Sequence, residues 1–303
     1  MSNNHTHRLA FILNANVANK QQFISDVHEL FNDIDHTIFE TQFTQHATQL
    51  CKQAVDDNYT CIISCGGDGT LNECANGILQ NQSQAKVQLA LLPLGTGNDF
   101  ARTVYAKNNL AILKKNIVEN KIRLIDAGKI ILHDNAPPHY FINIADAGFG
   151  AAVVQHMLLS KNTFGKKNQY HLSILRTFFS YKKLQLEITA DDFYYKGKVM
   201  MVAIANGKYF GSGMGIAPDA KIDDGLFNVV LIGDISIVDY LLNVQKLKDA
   251  EKLNHKAVMY CKAKKIAIKN IDTQHLFCEA DGELMGSGNV EIEMMERVIC
   301  LVA

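Results

Sequence analysis

Several things are missing from this chain, and each absence excludes a class of protein. Its 303 residues carry almost no net charge, −1 with the histidines neutral. A nucleic-acid binder relying on bulk charge is therefore excluded, and no nucleic-acid partner is expected. No apolar run approaches the roughly 18 residues that a membrane span needs. The first eight residues are polar with no apolar stretch behind them, so no secretory leader is expected there. His5 and His7 fall in the same stretch and are expected in a tail rather than a metal site. The seven cysteines, at 51, 61, 65, 74, 261, 278 and 300, form no Cys-x-x-Cys pair and are odd in number. Most sit in apolar or helical patterns, as reduced core residues of a cytoplasmic protein would. The chain also lacks a Walker A loop, the dinucleotide Gly-x-Gly-x-x-Gly fingerprint, internal repeats, low-complexity tracts and heptads.

What remains is ordinary in bulk: 48% apolar and 20% charged residues, long enough for two domains. One stretch organises the rest. An apolar run at 61–65 ends in Gly66, Gly67, Asp68, Gly69 and Thr70, and Leu71, Ala75, Ile78 and Leu79 then share a helical face. The glycines are thus expected at the C-terminal tip of a buried strand, just before a helix N-terminus. Bare backbone there lets a phosphate approach amides and the helix dipole. Asp68 is itself an anion, which suits phosphate only if a magnesium ion lies between them. The competing reading is a plain turn between strand and helix.

In chain order, residues 9–13 read as a strand that opens into Asn14, Ala15 and Asn16. A helix follows with Phe23, Val27, Leu30, Phe31 and Ile34 on one face. A second strand covers 36–43, and a second helix carries Ala47, Leu50, Cys51, Ala54 and Val55. A fourth strand, 87–92, leads to residues 93–100, where Gly95 and Gly97 flank Thr96 and where Asn98 and Asp99 can cap a short helix. A further helix covers 110–118. This alternation predicts an open parallel sheet covered on both faces, with ligands beyond the carboxyl ends of the strands. From Lys121 the texture becomes β-rich: Leu184, Leu186 and Ile188 alternate with polar residues, as in a half-solvated antiparallel strand. A domain boundary is placed near 126–128. Helices are expected around 170–181 and, after Ser236, with Ile237, Leu241, Val244 and Leu247 on one face. Pro137 and Pro138 mark a turn. Phe164, Gly165, Lys166 and Lys167, with Phe178 and Phe179 beyond them, fit either a lipid-docking surface or a solvated loop before a core helix.

The Gly66–Thr70 motif resembles that of the diacylglycerol kinase catalytic superfamily, which includes bacterial lipid kinases and sphingosine kinases. It is also similar to the motif of NAD kinases and, with Ser for Thr, of phosphofructokinases. The block from Pro93 through Thr96, Asn98 and Asp99 to Arg102 resembles the second motif of the diacylglycerol kinase family. The resemblance implies an N-terminal Rossmann-like α/β domain over 1–127, completed by 290–303. It implies a mostly antiparallel β-sandwich-like domain over 128–289, with the active site in the cleft between them. Gly66, Gly67, Asp68, Gly69, Thr70, Leu71, Asn72 and Thr96 would then meet ATP. A threonine after the second strand would join them: Thr44, or its neighbour Thr41.

Two further blocks lie in the second half. Asp223, Asp224 and Gly225 suit a turn, and equally a hard cation. By resemblance, bacterial members hold a structural magnesium here. The ligands would be the Asp224 carboxylate and the main-chain oxygens of Lys221 and Leu226. Asp281, Gly282 and Glu283 follow a strand expected at 274–279. The family assigns the glutamate as general base, which Glu283 matches, with Asp281 as a competitor. A carboxylate that takes a proton from an attacking hydroxyl is chemically sound. The expectation is an ATP- and Mg2+-dependent lipid kinase, acting on diacylglycerol first. It would be cytoplasmic and transiently at the inner face of the membrane, with a homodimer as an allowed assembly. An NAD kinase-like enzyme and a non-catalytic nucleotide- or lipid-binding regulator are the alternatives.

Overall fold

The computed structural model describes residues 7–81, 87–132, 138–159 and 166–302, without the side chains of 166–171. His5, Pro137, Phe164 and Gly165 lie outside the described residues, as do the side chains of Lys166 and Lys167. The chain divides into two compact units, Met1–Ile125 with Arg297–Ala303, and Asp126–Glu296.

The first unit contains β1 (Arg8–Leu13), α1 (Lys20–Leu30), β2 (Asp35–Glu40), α2 (His46–Asp56), β3 (Cys61–Gly66), α3 (Asp68–Leu79), β4 (Gln88–Pro93), α4 (Asp99–Thr103) and α5 (Leu110–Val118). Strands β2, β1, β3 and β4 are hydrogen-bonded in that order and all parallel. Residues 300–302 return to pair with β4, again in parallel. Successive strand residues face opposite sides, so a sheet covered on both faces needs continuous apolar strands. Every residue of β3 is accordingly buried. Phe11, Ile63 and Leu92 pack with Val27 and Phe31 of α1 and Leu113 and Ile117 of α5. On the other face, α3 packs on β3 and α2 on β1.

Parallel strands bring their carboxyl ends to one edge, where three loops are stitched together. Asn14 donates its backbone N–H to Cys65 O (3.0 Å), and its side-chain amide to Thr70 Oγ1 (2.9 Å). Leu94 and Gly95 both donate to Gly66 O. Gly67 and Gly95 meet backbone to backbone: a Cβ on Gly95 would lie 2.4 Å from Gly67 Cα. The start of α2 is held from α3, because the Glu73 carboxylate accepts the N–H groups of Gln45 and Ala47.

The second unit begins within β5 (Ile122–Leu132). It continues with β6 (His139–Phe141), β7 (Ile144–Gly148), α6 (Phe149–Leu159), α7 (Lys166–Ser180), β8 (Leu184–Ala190), β9 (Phe193–Val199), β10 (Met201–Ala205), β11 (Phe227–Ile232), α8 (Ile237–Lys248), β12 (Val258–Ala263), β13 (Lys265–Asn270), β14 (Phe277–Ala280), β15 (Glu283–Ser287) and β16 (Val290–Val302), whose last residues belong to the first unit. One antiparallel sheet runs β12-β11-β10-β7-β14-β15. The other joins β9, β8, β13 and the start of β16. The core between them takes one parity of each strand: Leu184, Leu186 and Ile188 from β8, Val202 and Ile204 from β10, Val229 and Leu231 from β11. The opposite parity of β10 and β11, including Met201, Ala203, Val230 and Ile232, faces a second core with Phe149, Val153, Ile174 and Leu247 from α6, α7 and α8.

The architecture is the expected one, a parallel α/β sheet followed by antiparallel β-structure. Three details differ. The strand expected over 36–43 stops at Glu40. Residues 122–125 and 129–132, which read as separate β segments, form one strand, β5. α6 was not expected, because the helix is apolar nearly all round, which hides the 3.6 period. Among the described residues, no helix is long and apolar enough to cross a membrane.

The glycine contact makes a prediction. Gly95→Ala puts a methyl group into main chain and should lower stability by about 1–3 kcal/mol. Gly69→Ala meets nothing within 4 Å, and should leave the melting temperature unchanged or raised. Thermal unfolding of both variants checks this; equal losses would contradict it.

Candidate active site

In the first unit, Gly67 is the N-cap of α3, and Asp68 opens its first turn. Asp68 is half-buried, and its Oδ1 accepts the Phe100 N–H at 3.1 Å, so the carboxylate reaches across to the first turn of α4. Asp68, Ser64, Gly66, Gly67 and Asn98 line one small cavity at the strand tips. Asn98 donates to Gly95 O (2.8 Å), while its own Oδ1 is buried without a hydrogen-bond partner among the described residues. This cluster fits a hydrated cation: a carboxylate oxygen beyond the one on Phe100 and a neighbouring amide oxygen lacking a donor. Gly69 is exposed, with a negative φ and nothing near where a Cβ would stand. Nothing within the protein asks for glycine there, whereas close approach of a ligand to the main chain would.

The other expected nucleotide residues divide. Thr96 and Thr44 are exposed, each in a loop. Thr41 is 7% exposed, and its hydroxyl accepts the Ala15 N–H at 3.1 Å. It joins β2 to the loop after β1, leaving Thr44 as the threonine that solvent reaches. Thr70 is buried with its oxygen on Asn14. Leu71 is a core residue, and buried Asn72 accepts from Asn76 inside α3. The side chains of Leu71 and Asn72 are therefore turned into the protein.

In the second unit, Asp281 and Gly282 form the two-residue turn of a hairpin, with Ala280 paired to Glu283. Both have positive φ, 50° and 87°. That is the type I′ pattern for which Asp-Gly is favoured. The Asp281 carboxylate accepts three backbone N–H groups, from Ile142, Asn143 and Ile144, at 2.9–3.0 Å. So the competitor to Glu283 is committed to anchoring the turn. Glu283 itself is half-buried at the start of β15.

The turn after Ala220 does not fit the implied structural ion. The Lys262 ammonium lies 2.9 Å from Asp224 Oδ2, and Oδ1 accepts the Leu226 N–H. A cation thus already stands on the one carboxylate expected to hold the metal through Asp224, Lys221 and Leu226. Fully buried Asp126 accepts the Gly225 N–H at 2.8 Å and braces the same turn.

Beneath α6, α7 and α8 lies a partly open apolar cavity. Its walls are almost entirely apolar, among them Phe149, Val153, Phe178, Met214 and Leu247. Phe178 stacks toward Phe149 at 4.6 Å, whereas its neighbour Phe179 is 83% exposed. The same helices also expose Leu158 and Leu159 of α6 and Val238, Leu241 and Leu242 of α8.

Two carboxyls escaped the sequence reading. Asp146 of β7 and Glu279 of β14 are directly paired across the sheet, 1% and 5% exposed. Strand parity turns both toward the helix-covered face. Asp146 Oδ1 accepts the Ala151 N–H at the start of α6 (2.8 Å), and a Cβ on Gly150 would strike it. Glu279 Oε2 accepts the Gly282 N–H at 2.7 Å. Burial pushes Asp146 up to about 7 against the pull of the Ala151 and Gly150 amides. Burial, and then the Asp146 charge, push Glu279 well above the usual carboxylate range. The available signal was an acid inside each of two otherwise small or apolar strands.

A group whose folded pKa is raised favours the fold while protonated, and that contribution disappears as pH rises through the folded value. Asp146→Asn cannot ionise. Its melting temperature should therefore gain on the wild type between about pH 4 and pH 7, by up to a few kcal/mol of stability. A difference independent of pH would contradict the assignment.

Comparison with known proteins follows the two units. Residues 8–130 match the diacylglycerol kinase catalytic domain, and residues 143–303 the YegS C-terminal NAD kinase beta sandwich-like domain. A "Probable lipid kinase YegS-like" of Shewanella frigidimarina is 32% identical over 254 residues, covering 82% of this chain and 78% of that protein. A diacylglycerol kinase of Staphylococcus aureus is 27% identical over 289 residues, covering 94% and 89%. The crystal structure of a diacylglycerol kinase from Bacillus anthracis str. Sterne superposes with a TM-score of 0.69 at 22% identity, covering 98% and 96%; it supports the fold. The glycine loops, the β-rich second unit and these matches together show that the chain belongs to the diacylglycerol kinase and YegS-like family of lipid kinases.

Proposed function

We propose that this lipid kinase transfers the γ-phosphoryl group of ATP to a hydroxyl on a lipid with long acyl chains, diacylglycerol being the first candidate. The observation that carries the lipid part is the apolar lining of the cavity under α6, α7 and α8. That lining suits hydrocarbon, and offers a dinucleotide few polar partners. The exposed leucines and Phe179 on these helices favour contact with a bilayer surface from the aqueous side.

The nucleotide part rests on the strand-tip loops. Main-chain amides around Gly67 and Gly69 receive phosphate, with Thr96 and Thr44 as hydroxyl contacts. Asp68 would hold the magnesium that comes with ATP, an ion that would neutralise phosphate charge there. Glu283 takes the proton from the acceptor hydroxyl as that oxygen attacks the γ-phosphorus. The bond to the β-phosphate oxygen breaks, ADP leaves, and a phosphomonoester remains on the lipid. Asp281 holds the hairpin and carries no proton in this scheme.

An NAD kinase-like activity is the second reading, favoured by the similarity of the second unit to an NAD kinase sandwich. Radiolabelled ATP offered with NAD and a panel of lipids, with products identified by mass spectrometry, separates the two and also detects a binder that transfers nothing. Phosphorylated lipid is expected. Phosphorylated NAD, or no product on any lipid, would overturn the proposal.

Two variants sharpen it. Asp68→Asn keeps an acceptor for Phe100 N–H but loses the charge. It should cost about a hundredfold or more in kcat at unchanged melting temperature; near-wild-type turnover would remove Asp68 from the mechanism. Ile235→Trp, on the cavity wall, should raise KM for long-chain diacylglycerol and leave KM for ATP alone. An unchanged chain-length preference would place the acyl chains elsewhere.

A further inference from the structure

We propose that Asp146 and Glu279 act as a carboxyl pair holding a single proton, and that the pair fixes the hairpin carrying Glu283, with Glu279 a positioning residue for phosphoryl transfer. The proposal rests on the reading of Glu283 as the base.

The geometry has three parts. Glu279 and Asp146 are opposed in the β14–β7 ladder, with both side chains under α6. Glu279 Oε2 then takes the Gly282 N–H, one residue before Glu283, at 2.7 Å. Asp146 is held from the other side by the first turn of α6, which lines the apolar cavity through Phe149 and Gly150. The pair therefore joins the cavity wall to the acidic hairpin within one unit.

The charge follows from the surroundings. Asp146 lies opposite Ala203 on β10 and meets Gly150 and Ala151 of α6. Glu279 lies opposite Leu284 on β15, with Cys278 beside it on β14 and Asp281 and Glu283 in and after the turn. Tyr181, beyond α7, has its phenol held protonated by burial and then by the nearby Asp146 charge. Like charges in such a setting cannot both ionise cheaply. The α6 amides favour the charge on Asp146, which leaves the proton on Glu279. Asp146 Oδ2 is buried without a hydrogen-bond partner among the described residues, so nothing there compensates a second charge beside it. A second ionisation would set two buried charges against each other and push the hairpin end toward water, carrying Glu283 with it.

The test uses the full chain and whichever lipid the wild type phosphorylates. It measures kcat and KM for ATP against pH, and amide hydrogen exchange at Gly282. Glu279→Gln keeps a neutral acceptor for the Gly282 N–H. It should hold kcat within about threefold of wild type at pH 7 and lose the alkaline fall in kcat. Asp146→Asn also makes the doubly charged state impossible, and should lose the same alkaline limb. Glu279→Ala removes the acceptor; kcat should fall about tenfold or more at unchanged KM for ATP, with faster Gly282 exchange. The pair is overturned if Glu279→Ala keeps wild-type kcat and Gly282 protection. It is equally overturned if Glu279→Gln is as damaged as Glu279→Ala, or if the alkaline limb persists in both isosteric variants. Should the wild type phosphorylate no lipid, the kinase reading falls and exchange alone decides. Gly282 protection kept in Glu279→Gln and lost in Glu279→Ala supports the pair; equal protection in all three overturns it.

Discussion

Contact between two bare stretches of main chain sets the arrangement of the first unit. Gly67 and Gly95 approach so closely that a Cβ on Gly95 would lie 2.4 Å from Gly67 Cα, and one on Gly67 would press on Gly95 Cα at 3.3 Å. Because they touch, the tip of β3 and the tip of β4 share one edge, and Asp68 can reach the amide of Phe100. The carboxylate is then spanned between two helix N-termini instead of pointing freely into solvent. A negative group so placed is at home beside amide dipoles. It would repel a phosphate unless a cation came with it. The loop chemistry and the choice of nucleotide as ligand follow from that one electrostatic requirement.

The second unit solves a different problem. Its central strands are buried on both faces, one against another sheet and one against helices. A sheet of this kind has no polar face to spare, so an acid placed in it must be held. Asp146 and Glu279 are held by α6 and by the hairpin turn, and their proton balance is a consequence of burial. The helices that cover this sheet leave an apolar cavity beneath them, and they expose leucines outside. Cavity and exposed patch thus belong to the same three helices.

Much of this was legible in the order of residues. Strand–helix alternation through residue 118, the glycine motifs and the change of texture after Lys121 are properties of periodicity and of turn chemistry, which local sequence carries. What was not legible depends on contacts between distant positions. The resemblance placed Leu71 and Asn72 beside the nucleotide; in α3 both side chains are buried, Leu71 on the wall of the small cavity that Asp68 lines. Thr41 and Thr44 could not be told apart until the bond from Ala15 N–H engaged one of them. Glu283 matched the family's base with Asp281 as a competitor, and three amides from residues 142–144 engage the Asp281 carboxylate. The expected metal turn could not reveal Lys262, which lies 38 residues further on. α6 stayed hidden because an all-apolar helix has no polar face to mark its period.

The central claim is that the Asp68 carboxylate sits in a glycine loop because nucleotide binds there with a divalent cation. Equilibrium binding of a non-hydrolysable ATP analogue, with and without magnesium, to the wild type and to Asp68→Asn measures this directly. The account predicts that magnesium tightens binding to the wild type by about tenfold or more and has little effect on Asp68→Asn. Equal dependence on magnesium in both proteins, or none in either, would contradict it.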